Sequence, residues 1–116
     1  MKYYDEDKAR ELRAAFEAEV LRWPLVGATR MFGCPCYQAG GKLFAFLTSE
    51  GIVLTQLAVR DRARLEAACG AKPFQAGKRV MKNWAAVPVP SPAVLKKLMP
   101  FLKRSYRAAS ASTQIS

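Results

Sequence analysis

The sequence predicts an α+β domain. It is read as an antiparallel sheet of about four strands, a meander plus a late strand, with an N-terminal helix, a short middle helix and a kinked C-terminal helix. Two observations carry this. Apolar residues recur at steps of three and four near both ends of the chain, the period of a helix with one buried side. Between them, residues 42–48 are apolar on both faces of a strand and follow Gly40 and Gly41, a pair suited to a tight hairpin turn. With 116 residues, 51% of them apolar, the chain can bury one core and is too short for two. Residues 1–109 are expected as a single domain and 110–116, SASTQIS, as a flexible polar tail.

Asp5, Glu6 and Asp7 put negative charge where a helix N-terminus favours it. Ala9, Leu12, Phe16, Val20 and Trp23 then share one side of that helix, which ends before Pro24, while Glu6, Arg10, Arg13 and Glu17 are spaced to pair on the other. Residues 28–32 open an edge strand in which Gly33 and Pro35 predict a bend or bulge before Tyr37 and Gln38 reach the glycine turn. Residues 42–48 read as the central strand, Phe44 and Phe46 on one face and Leu43, Ala45 and Leu47 on the other. Ser49, Glu50 and Gly51 turn the chain into a third strand, 52–57. Asp61 is placed to cap a short helix with Leu65, Ala68 and Cys69 inward and Gly70 as its stop. Residues 72–81 read as a basic loop and 83–89, with Trp84 and Val87, as the last strand. Ser91 and Pro92 begin the final helix, where Leu95, Leu98, Met99, Leu102 and Tyr106 fall on one side. Pro100 lies inside that pattern, and because the apolar phase continues across it a kink is expected rather than a break.

Composition narrows the function. The chain has no histidine, which removes the commonest general base and the commonest zinc ligand. It has no phosphate-binding glycine loop, no nucleophile elbow and no paired carboxylates in an apolar setting, so a non-enzymatic protein with no metal and no cofactor is expected. No stretch is long and apolar enough to span a bilayer, and the acidic N-terminus does not resemble a signal peptide, so a cytoplasmic protein is expected.

Nineteen Lys and Arg against nine Asp and Glu give a net charge of +10, unevenly spread. Residues 1–22 hold five basic and six acidic side chains, whereas residues 23–116 hold fourteen against three. The body of the domain is therefore anion-seeking. Its basic residues are Arg60, Arg62 and Arg64 on the middle helix, Lys72, Lys78, Arg79 and Lys82 after it, and Lys96, Lys97, Lys103, Arg104 and Arg107 on the polar side of the last helix. These are the candidate contacts to DNA or to a protein partner, with Phe74 and Trp84 as aromatics able to stack on bases. Cys34 and Cys36, one residue apart, are the alternative: a thiol pair for redox or soft-metal chemistry, though their spacing is not that of zinc ribbons or thioredoxin-like sites. A homodimer is a further expectation, through whatever apolar sheet face the helices leave over.

Arg30-Met31-Phe32-Gly33, then Pro35-Cys36, then Gly41-Lys42-Leu43-Phe44-Ala45, then Lys78-Arg79-Val80-Met81-Lys82-Asn83-Trp84 leading to Val87-Pro88, together resemble the N-terminal domain of the TfoX/Sxy family. The resemblance covers residues 8–108. It implies an α+β domain with an antiparallel sheet and flanking helices. It also implies a regulatory role, since full-length members are regulators of natural competence that act with the cyclic-AMP receptor protein at promoters and carry a second, C-terminal domain. The chain is too short to hold that second domain, so the resemblance points to a small single-domain relative. It brings no catalytic residues.

Overall fold

Asp5 caps the first helix, its carboxylate accepting the Asp7 amide at 3.0 Å. A computed structural model describes residues 3–31 and 33–114. In it α1 (Glu6–Val20) buries Ala9, Phe16 and Val20, and Trp23 is buried just beyond the helix end, as the three-and-four spacing predicts. Six strands follow, interrupted by one helix and closed by another: β1 (Val26–Met31), β2 (Cys34–Ala39), β3 (Lys42–Leu47), β4 (Gly51–Leu54), α2 (Val59–Cys69), β5 (Lys72–Ala76), β6 (Arg79–Pro88) and α3 (Pro92–Gln114). All neighbouring strands pair antiparallel, in the order β1-β2-β3-β4-β6-β5. β3 lies inside the sheet, and its residues 44–47 are all buried.

The class is as expected and the strand count is not. The segment around Gly33 is a hairpin, because Met31 pairs with Cys34 and Gly33 has a φ of 77°, which a residue with a Cβ adopts only under strain. Phe32 lies outside the described residues. Residues 72–81, expected as a loop, are β5 and the start of β6. β5 shows no alternation in sequence because Phe74 is its one buried residue, with Lys72, Pro73 and Gln75 exposed. The hairpin joining β2 to β3 is as predicted, Ala39 pairing with Lys42 across Gly40 and Gly41 at φ of 61° and 88°.

Two helix termini also differ from expectation. α2 starts after Ala58, whose side chain makes no capping bond, and Asp61 is buried in the first turn instead of capping. Leu65 points inward, Cys69 is half-buried and Ala68 is exposed, while Gly70 ends the helix in the left-handed conformation as expected. α3 begins at Pro92 and continues undivided through Pro100 to Gln114, so residues 110–114, expected as tail, extend the helix. Ala108, Ala109 and Ala111 favour that extension, and the Ser110 hydroxyl donates to the Arg107 carbonyl at 3.2 Å. Residues 115 and 116 lie outside the described residues.

α3 packs across β2 and β3 with α1 and α2 beside it. Leu95, Leu98, Leu102, Ser105, Tyr106 and Ala109 are its buried side. Ser105 donates to the Phe44 carbonyl at 2.7 Å and accepts the Gln56 amide at 3.1 Å, fixing the helix to the strand edge beneath it. Phe44 and Phe46 do not share one environment. The β2–β3 register skips a residue at Phe44, whose ring meets Trp23 and Tyr106, whereas Phe46 meets Phe74 and Trp84. Three strand spacings, about 14 Å in a flat sheet, separate β3 from β5. Ring contact between Phe46 and Phe74 therefore requires the β5–β6 hairpin to curl back toward β3. Phe46 and Val53 are 1% exposed as a result, so the sheet face expected to stay open for a homodimer is closed there by the chain itself.

Candidate nucleic-acid interface

Most acidic residues of the N-terminal segment are satisfied locally. Within and just beyond α1, Arg10 pairs with Asp7 at 3.0 Å, Arg13 with Glu6 at 3.1 Å and Glu17 at 3.2 Å, and Arg22 with Glu19 at 2.8 Å. In the rest of the domain Arg104 meets Asp61 at 3.6 Å. Among the described residues, Arg60, Arg64, Lys72, Lys78, Arg79, Lys82, Lys96, Lys97 and Arg107 are exposed and make no ion pair. The positive charge outside α1 is thus available to solvent and to ligands.

α2 organises this charge, because it packs against α3 on one side and β6 on the other. On the α3 side lies an open groove of about 550 Å³, walled by Asp61, Pro100, Lys103, Arg104 and Arg107. Helical spacing puts Lys96 on the same stripe as Pro100, Lys103 and Arg107, and Lys97 in line with Arg104. Lys103 is held by its own cation–π contacts, its Nζ 4.3 Å over the Trp23 ring and 5.7 Å from that of Tyr106. On the β6 side lies a smaller notch of about 50 Å³, where Arg62 and Glu66 face Lys72, Lys82 and Trp84. Arg62 is anchored by donating to the Leu57 carbonyl at 2.7 Å.

The structure therefore brings the predicted basic residues into two adjoining groups on either side of α2. Lys78 and Arg79 are at the tip of the β5–β6 hairpin and wall neither cleft, and Arg60 and Arg64 stand on the outer side of α2. Of the two candidate stacking aromatics, Phe74 is 7% exposed and belongs to the core, whereas Trp84 is half-buried, its ring packed on Phe46 and Phe74. Asp61 and Glu66, which sequence reasoning left out, put one carboxylate in each cleft. Only their rarity was a signal: they are two of the three acidic residues after position 22.

The thiol pair is elsewhere and enclosed. Cys34 and Cys36 are 1% and 0% exposed, and the Cys36 thiol donates to the Cys34 carbonyl at 3.3 Å. Burial raises the pKa of Cys34, and burial followed by the neighbouring Cys34 pushes Cys36 up to about 11, so both are neutral thiols at pH 7. Side chains two apart on one strand project in parallel, a poor geometry for a mutual disulfide. Among the described residues no group of three or more His, Cys, Asp and Glu side chains converges, and no helix is long and apolar enough to cross a membrane.

No family model, curated protein or solved structure matches the chain.

Proposed function

We propose that this chain is a non-enzymatic regulatory or interaction domain, of the kind found at the N-terminus of TfoX/Sxy proteins, that meets DNA through the basic surface centred on α2. The observation that carries this reading is the partition of charge. Most acids of the N-terminal segment pair with its own arginines, and the two clefts beside α2 set Lys103, Arg104 and Arg107 on one side and Arg62, Lys72 and Lys82 on the other. Such a surface neutralises phosphates without reading base edges, so affinity is expected to be salt-dependent and weakly sequence-dependent. An acidic protein surface is the competing occupant of the same face.

Fluorescence anisotropy with a labelled duplex across a salt series tests it. Binding is expected to weaken steeply with salt, and reversing Arg62, Lys82 or Lys103 to Glu should lower the log–log salt slope by about 0.9 for each phosphate no longer neutralised. Absence of binding at low salt rejects the reading and turns attention to an acidic protein partner.

A further inference from the structure

The sheet ends in two unlike edges. On one, β5 carries Lys72 and Pro73, a charge and a residue without an N–H, and its hairpin curls back over β3 through the Phe46–Phe74 contact. On the other, β1 has neither proline nor bulge, and its residues 27–30 are exposed while it pairs with β2 in unbroken register. Met31 and Cys34 flank a two-residue turn, and Leu25 at the far end accepts the Gly40 amide at 3.2 Å. Bonding alternates along an antiparallel pair, so residues 27, 29 and 31 use their main-chain groups on β2 while those of Val26, Ala28 and Arg30 point away from it. The Val26 N–H is taken by the Trp23 carbonyl at 3.4 Å, which leaves the Ala28 and Arg30 amides at the open edge. Leu25, immediately before the strand, is 61% exposed and left-handed, with a φ of 68° that is uncommon for a residue with a Cβ.

We propose that β1 is a self-association edge, to which a second copy of the chain adds its own β1 antiparallel about a two-fold axis through Ala28. What selects a second copy is the symmetry of the open groups. With Ala28 opposite the partner's Ala28, each donates to the other's carbonyl, and the Arg30 N–H meets the carbonyl of the partner's Val26. One register thus engages every open N–H on both strands. The same register keeps like charges apart, because Arg30 lies opposite the partner's Val26 and Gly27 opposite the partner's Thr29, while exposed Leu25 gains the partner's Met31. Since the β5 edge is protected, the contact closes as a pair and does not grow into a filament. A contact one strand long makes a weak pair, with a dissociation constant on the order of tens of micromolar. A net charge of +10 on each chain makes the pair tighten as salt is added, opposite to the trend for nucleic acid.

The test is sedimentation equilibrium of the intact protein at low and high salt, with amide hydrogen exchange followed residue by residue in dilute and concentrated protein. A monomer–dimer equilibrium that tightens with salt is expected, and the Ala28 and Arg30 amides should exchange more slowly in the concentrated sample. Ala28→Lys sets two lysines opposite each other at a site that is exposed in the monomer, and should weaken the pair about tenfold or more. Leu25→Gly relieves the left-handed leucine, so it should keep or raise the thermal midpoint while weakening the pair about threefold or more. A strict monomer at high protein and high salt overturns the proposal and leaves the edge to a foreign strand. A dimer indifferent to Ala28→Lys, with both amides unprotected, overturns it by placing the contact on another surface. Open-ended growth overturns the closed pair.

Discussion

The rings of Phe46 and Phe74 meet edge to face with centroids 5.2 Å apart, although β4 and β6 lie between their strands in the sheet. That contact holds the outer hairpin over the central strand, and Trp84 and Tyr3 pack onto the same pair. Phe46→Ala should therefore cost about 3–5 kcal/mol, the usual range for emptying a buried phenyl site. Because Phe46 braces Trp84, the urea transition followed by tryptophan emission should move with that followed by circular dichroism. A destabilisation below about 1 kcal/mol, within the noise of surface substitutions, would contradict this role for the ring pair.

Gly51 stands where β4 leaves no room for a side chain against β6. A Cβ there would lie 1.9 Å from the Val87 carbonyl oxygen and 2.9 Å from its carbon, and neither backbone atom can turn aside as a side chain would. Gly51→Ala is expected to force β4 and β6 apart and to lower stability by about 3 kcal/mol or more, read from urea midpoints. A neutral effect would mean that the Gly51–Pro88 end of the ladder is not formed in solution.

Alkaline pH should destabilise the fold. Burial raises the pKa of Cys34, Cys36 and Tyr37, the last helped by its hydrogen bond to Glu17 at 2.6 Å, and Cys36 reaches about 11. The unfolded chain ionises its thiols near pH 9, so the folded state binds more protons above that point. Stability present in full below pH 9 is then lost as pH climbs toward 11. Urea midpoints across this interval should fall, and Cys36→Ala should flatten the decline. A profile unchanged by that substitution would remove Cys36 from the account.

Thiol reactivity follows from the same burial. Cys69 is half-buried on α2, whereas Cys34 and Cys36 are sealed in β2. Alkylation of the native protein, read by mass spectrometry, should modify Cys69 first and the other two at a rate set by unfolding. Rapid labelling of Cys34 or Cys36, or a metal retained in native mass spectra, would favour thiol chemistry over the basic surface.

Asp61 holds a carboxylate, 12% exposed, against Arg104 in the α2–α3 groove. Asp61→Asn removes the negative charge and leaves Arg104 to solvent, which already reaches 57% of that side chain. Duplex affinity should rise about threefold at low salt, with the gain shrinking as salt is added. The pair is too exposed on its arginine side to contribute much to stability. No change in affinity would place the DNA path away from this groove.

What the sequence determined by itself is what depends on neighbours close along the chain. The spacing of Ala9, Phe16 and Val20, the Gly40–Gly41 turn, the Gly70 stop and the Ser91–Pro92 start were all legible, because helix periodicity and turn geometry are local properties. The excess of positive charge after residue 22 was legible for the same reason: it needs only counting. Tertiary structure alone decided that β5 exists, since its single buried residue finds its ring partners on β3, β6 and the N-terminal segment. It decided that Phe74 joins the core while Trp84 stays half-buried beside it, through a three-residue bulge that no pattern announces. It also sorted the cations into two groups, because α2 lies between α3 and β6, and that placement is set by packing between residues far apart in sequence.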